Sequence, residues 1–341
     1  MTPECARATT LAAIPFRSLA AAQQESKTRH PEINRGMDVA PCRSRLQPMS
    51  LASMATDAYD AIQRLYQGGH SMLQQITDLR DETDELYRLL ITLTADHWGR
   101  ATLFKSWTVN DIVQHLHLSD ILGLASATDV SAFDALRADI AAKRETGLTR
   151  LEETRQRLGD LVGPVLLDRW QQTLSQLCDA LAAKTPDARL KWAGPDMGVR
   201  MFTTARQMEI WSHSQAIYDL LGIARPAASP RIRNIAEIGV RTFGWAYTNR
   251  GLPVPPEVPY VRLENGFEAP WEWHAPDRGN AVTGGVIPFC QVVTQTRNVA
   301  DTDLAVTGDI ATHWMSIAQC FAGPPETPPA PGTRRMKGTP R

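Results

Sequence analysis

The sequence predicts an α+β protein, an antiparallel four-helix bundle followed by a smaller mixed α/β domain. Three observations carry that expectation. Apolar residues recur at three- and four-residue steps through much of residues 72–225. Helix-stop signals, Gly222 and then Pro226, close that region. Beyond Pro230 short alternating segments appear, separated by turn dipeptides such as Asn265-Gly266 and Gly284-Gly285.

The chain has 341 residues, enough for two domains. Residues 1–71 are rich in Ala, Arg, Ser, Gln and Pro and lack sustained periodicity, apart from a short helix anticipated at 55–66. They are expected to be disordered or a spurious extension, with Met49, Met54 and Met72 as alternative starts. From Met72, the positions Leu73, Ile76, Leu79, Thr83, Leu86, Leu89 and Leu90 trace one amphipathic face. A second helix is predicted over 109–124, with Thr108 as N-cap and Asp111 as its capping carboxylate. A third helical region opens at Asp129 and runs to Ala183, broken near Gly147, Gly159 and Gly163-Pro164. A fourth helix spans about residues 203–221. Residues 72–225 thus form the bundle and 226–324 the α/β domain. In the latter, a helix is predicted over 232–249 and strands near 260–263, 270–274 and 280–283. Residues 289–294 read either way, and a last helix covers 310–321. Residues 325–341 read as a Pro-rich tail.

Composition excludes several classes. A net charge of −1 with no basic stripe argues against a nucleic-acid binder. No apolar run reaches membrane-spanning length. The five cysteines, Cys5, Cys42, Cys178, Cys290 and Cys320, form no C-x-x-C pair and suit a reducing, cytoplasmic setting.

Chemistry concentrates on two helices. On the second, His115 and His117 point about 200° apart, so only one faces any given site. Small residues beside His115, Ser119 and Gly123, leave room for a ligand and favour it without deciding the matter. Asp120 points about 140° from His115 and reads as a solvated position. On the fourth helix Glu209 and His213 stand at i and i+4, one turn apart on one face. Such a pair can converge on an ion at about 2 Å from each, although a lone Glu-x-x-x-His is usually a surface ion pair. Trp107, Arg206, Arg200 and Lys191-Trp192 carry dual readings, as pocket groups or as packing and ion-pair residues. Cys290 and Cys320 have no base near them in sequence and read as inert.

The stretch Trp107-Thr108-Val109-Asn110-Asp111-Ile112-Val113-Gln114-His115-Leu116 resembles an element of the DinB/YfiT-like superfamily. It is most similar to the metal-binding domain of mycothiol-dependent maleylpyruvate isomerases. The stretch from Ala205 to Gln215, with Arg206, Glu209, Trp211 and His213, is similar to that family's second element. Residues 231–323 resemble an uncharacterised metal-binding subgroup, in Gly239–Thr242, Asn249–Gly251, Phe289–Gln295, Ala300–Leu304 and Ala318–Gly323. The resemblance implies a DinB-like bundle whose metal ligands are His115, Glu209 and His213, and it selects His115 over His117. It implies a divalent metal, zinc for two imidazoles and a carboxylate, and a low-molecular-weight thiol such as mycothiol. It also implies a small-molecule substrate, with no nucleic-acid or membrane partner, and a homodimer is compatible with it. Some relatives are labelled for wyosine base formation, which the charge balance does not favour. Relatives often carry Asp where this chain has Ala216, so His213 lacks that support and is left to a backbone carbonyl, Gln215 or water. The expected function is metal-dependent, thiol-dependent isomerisation or transfer, with Arg206 as a cofactor- or substrate-binding group. The alternative is a non-catalytic metal- and small-molecule-binding or sensing protein.

Overall fold

The computed structural model describes residues 74–194, 196–226, 228–336 and 338, so the expectations for residues 1–71 lie outside them. The fold is α+β and mostly helical, with two small sheets.

Helix α1 runs through residues 74–90 and buries Ile76, Leu79, Leu86 and Leu90. A short α2 (Ala95–Gly99) seats Trp98 in the same core. Helix α3 (Val109–Thr128) begins at the anticipated capping box. The Thr108 hydroxyl accepts from the Asp111 N–H at 3.1 Å and the Asp111 carboxylate accepts from the Thr108 N–H at 2.7 Å. Caps of this kind contribute about 1 kcal/mol. The helix runs four residues past its expected end and stops at Asp129, which caps α4 (Val130–Glu145). Helix α5 (Arg150–Leu158) starts at a second capping box, Thr149 with Glu152. The break expected near Gly159 and Gly163-Pro164 follows Leu158, and Gly163-Pro164 then opens α6 (Gly163–Ala182), where proline in the first turn forfeits no intrahelical bond.

A two-stranded ribbon, β1 (Arg189–Leu190) with β2 (Met197–Gly198), leads into α7 (Val199–Leu221). That helix ends at Gly222 in the left-handed region, φ 68°, as its stop signal implied. Helix α7 is apolar on two sides. Val199, Phe202, Ile210 and Ile217 join the core of α1, α3 and α6, whereas Met208 and Trp211 join a second core built from residues 232–320.

In that second region the single helix expected over 232–249 is two, α8 (Arg233–Arg241) and α9 (Phe243–Thr248). The chain bends at Thr242, whose hydroxyl donates back to the Ile238 carbonyl at 2.8 Å. The strands β3 (Tyr260–Glu264), β4 (Trp271–Trp273) and β5 (Ala281–Gly285) come next, then α10 (Val286–Val293), β6 (Ala305–Thr307) and α11 (Asp309–Ile317). The sheet order is β4-β3-β5-β6. Strands β3 and β5 are parallel, with Val261 opposite Val282, and both edges are antiparallel. The ambiguous stretch 289–294 falls in α10 and its C-cap, and β6, only three residues long, had no periodic signal. Residues 318–336 form no helix or strand. Among the described residues no helix is long and apolar enough to cross a membrane.

Candidate metal centre

Helix α3 brings His115, and α7 brings Glu209 and His213, to one point. His115 Nε2 lies 3.3 Å and His213 Nε2 3.5 Å from the same oxygen, Glu209 Oε2. One ligand atom from each residue lies within 4.8 Å of the others. The two imidazole centroids are 4.7 Å apart.

The loop before α3 packs around this group. Lys105 and Ser106 both adopt positive φ, 49° and 57°, which turns the chain sharply. Thr102 N–H donates to the Trp107 carbonyl at 2.8 Å and Trp107 N–H donates to the Phe104 carbonyl at 2.9 Å. The turn thereby sets Phe104 edge-on to His213, with centroids 5.1 Å apart, and lays Trp107 parallel to it. Trp107 also meets His115 edge-on at 5.4 Å.

Electrostatics favour a ligand-ready state. Burial pushes His115 down to about 4, against a weaker upward pull from Glu209, so the imidazole is neutral at pH 7 with a lone pair to offer. Burial pushes the Glu209 carboxyl up, but hydrogen bonds from His115 and His213 outweigh it and hold the group well below its ordinary value. His117 is also buried but stands outside the group. Burial, helped by Arg169, brings it to about 4, and its Nδ1 has no partner.

The group lies in the wall of a cavity of about 430 Å³. Its lining includes Phe104, Trp107 and Leu151, and also Thr294, Gln295 and Thr296 from the end of α10. Basic residues Lys105, Arg144, Arg150 and Arg334 face it against only Glu209 and Glu326. Cavity groups outside the two helices were not anticipated, because turns, tail and the α4–α5 helices carry no site motif; Trp107 had two readings, lining and packing, of which packing was the favoured one, and it does both.

Three expectations need correction. Arg206 does not line the cavity. Its guanidinium pairs with Asp120 Oδ1 at 2.9 Å and reaches the Leu116 carbonyl at 3.4 Å. Asp120 is not solvated but fully buried, because Arg206 and the Trp170 indole N–H, 2.9 Å away, satisfy its carboxylate inside the core. Gln215 does not orient His213: its amide donates to Asp219 at 3.0 Å, and His213 Nδ1 is buried without a partner. Arg200 also lies off the cavity, and Lys191 pairs with Asp134 at 2.7 Å. Cys290 and Cys320 are buried, and burial pushes both thiols far up, which leaves them inert.

Comparison with known proteins gives three findings. The family model for the mycothiol maleylpyruvate isomerase N-terminal domain matches residues 79–218. Two uncharacterized proteins of Mycobacterium tuberculosis, from strains CDC 1551 / Oshkosh and ATCC 25618 / H37Rv, are each 36% identical over 250 residues, covering 73% of this chain and 96% of theirs. The crystal structure of the mycothiol-dependent maleylpyruvate isomerase aligns with 65% of this chain and 88% of its own, at 15% identity and a TM-score of 0.43. A mutant of that enzyme aligns over the same shares at 14% identity and 0.42.

Proposed function

The chain belongs to the family of the mycothiol maleylpyruvate isomerase N-terminal domain, and on that premise we propose that it is a metal-dependent enzyme joining a low-molecular-weight thiol of the mycothiol type to a small electrophile. One observation carries the reading: two imidazoles and a carboxylate converge at the wall of a cavity large enough for small molecules. We read α1, α3, α6 and α7 as the antiparallel helices of a DinB-like bundle spanning 72–225, with a mixed α/β domain over 226–324. We place the protein in the cytoplasm, with a small-molecule substrate, no nucleic-acid partner, and a homodimer as its assembly.

The donor set fits a divalent ion, zinc by its two imidazoles and one carboxylate. His115 is neutral and Glu209 ionised, the states that ligation needs. His213 packs against the rings of Phe104 and Trp107, which also touch each other. A metal held by His115, Glu209 and His213 would lower the pKa of a thiol or water bound to it. Phe104 and Trp107 line the cavity beside the two imidazoles. The basic lining suits an electrophile with a carboxylate, Arg150 and Arg144 supplying fork-shaped donors. Addition of the sulfur to a carbon–carbon double bond turns it single; rotation and loss of the thiolate complete an isomerisation, whereas a transferase stops at the adduct.

A second reading has a specific observation in its favour. His213 Nδ1 has no orienting partner, with Ala216 one turn on, so a weaker ion site suits a binding or sensing protein. One experiment separates them. The protein, purified without a metal-binding tag, is analysed for bound metal and then assayed for thiol conjugation with a panel of electrophiles, with and without chelator. Chelator-sensitive conjugation supports the enzyme; bound metal without conjugation across thiols and metals supports the binding protein; no bound metal sinks both.

A further inference from the structure

Beyond α11 the described residues 318–336 stay against the body of the protein. Phe321, Ala322, Gly323, Pro324, Glu326 and Arg334 all line the metal cavity. Yet no residue from Phe321 to Arg334 is buried, and none lies in a helix or strand. Phe321 packs against the second core, but beyond it polar contacts hold the segment. The Glu326 N–H donates to Gln319 Oε1 at 2.9 Å and its carbonyl accepts from the Gln295 amide at 3.0 Å. The Gly332 N–H donates to Asp301 at 2.8 Å. The Glu326 carbonyl also accepts from Arg250, the Pro324 carbonyl from the Gln319 amide at 3.1 Å and the Pro329 carbonyl from the Asn298 amide at 2.8 Å, so side-chain bonds rather than a helix or strand ladder hold the segment.

Two further contacts tie the segment to the loop that packs against His213. Lys105 Nζ and Glu326 Oε2 form an ion pair at 2.6 Å, each side chain about 40% exposed (45% and 37%). The Arg334 guanidinium sits 4.8 Å over the Phe104 ring, while one of its N–H groups donates to the Gln295 carbonyl. At the start of the segment Gly323 has φ 123°, a conformation open to glycine, and Pro324-Pro325 stiffens the chain just beyond it.

From this arrangement we propose that residues 323–334 are a lid on the metal cavity, hinged at Gly323 and latched by Lys105–Glu326. The proposal rests on reading this cavity as the reaction site. Closure places Arg334 over the Phe104 ring beside His213 and narrows access to the cavity; opening admits the reactants. A half-exposed ion pair suits a latch, because it is too weak to hold the lid shut permanently.

The test reads lid opening and cavity access separately from metal content. Amide exchange is measured by mass spectrometry over 323–334 and over α3 in the purified protein. Carbethoxylation of His213 is then timed in chelator-treated protein by peptide mass. Glu326→Lys, which opposes two cations at the latch, is expected to speed both by about fivefold, with α3 unchanged. The double variant Lys105→Glu/Glu326→Lys is expected to return both to within about twofold of the unmodified protein. Exchange in 323–334 as slow as in α3, no change with Glu326→Lys, or faster exchange without faster His213 modification would each overturn the lid. An elemental analysis that finds no metal removes the proposed function and leaves this result standing on its own.

Discussion

The indole of Trp107 lies parallel to the imidazole of His213, with 3° between the ring planes and centroids 6.0 Å apart. Trp107 also touches His115 and Phe104, so one side chain buttresses both imidazoles. Trp107→Ala is expected to cost about 3 kcal/mol of stability by leaving a void and to weaken metal affinity about tenfold by loosening the imidazoles. Thermal unfolding and a metal titration read the two effects; Trp107→Phe should retain more of both.

His117 supplies a control two residues from a proposed ligand. His115→Ala and His213→Ala are expected to bring bound metal below one equivalent. His117→Leu should leave occupancy unchanged and hold or raise stability, because it removes a buried nitrogen that has no partner. Metal analysis of the three proteins decides; equal occupancy in all of them rejects the ligand assignment.

Arg206 and Asp120 make a buried pair, so cutting one member strands the other. Arg206→Met is expected to destabilise by about 3–5 kcal/mol. The double variant Arg206→Met/Asp120→Asn should recover a large part of that. Denaturant unfolding of the two variants measures the coupling, and full additivity would refute it.

Acid should unfasten the start of α3. Burial alone pushes the Asp111 carboxyl up, but hydrogen bonds from Arg155 and Thr108 outweigh it and hold the group below its ordinary 3.8. A carboxyl lower in the folded than in the unfolded chain adds stability that is complete above the unfolded value and vanishes as pH falls through the folded one. Asp111→Asn is expected to lose about 1–2 kcal/mol at pH 7. The gap to the unmodified protein should close as pH falls below about 4. A gap that stays constant down to pH 2 would argue against the linkage.

Local signals made much of the helical region legible. Thr108 and Asp111 form the reciprocal cap that their three-residue spacing implies, and Gly222 takes the left-handed turn. Glu209 and His213 share a face because helical geometry compels it. The choice between His115 and His117 was not legible from pattern, since both are buried in a helix apolar on several sides; it came from the resemblance. Arg206 was misread for the same reason. A cation beside a motif looks like a ligand until the buried Asp120 on a neighbouring helix is seen. Lys105, Gln295 and Arg334 approach the cavity through turns, and Lys105 and Gln295 have positive φ that no periodic pattern reports. The last helix, expected over 310–321, ends already at Ile317, and nothing in Gly323-Pro324-Pro325 announces a segment that folds back.

Helix α7 gives one flank to each of the two apolar clusters. It therefore works as a common beam: neither half can melt while the other keeps its lining. Heating should yield a single cooperative transition, and a fragment starting at residue 226 should fail to fold alone, because Met208 and Trp211 would be missing from its interior. The same beam carries Glu209 and His213, so two of the three converging side chains sit on the one helix that both apolar clusters share.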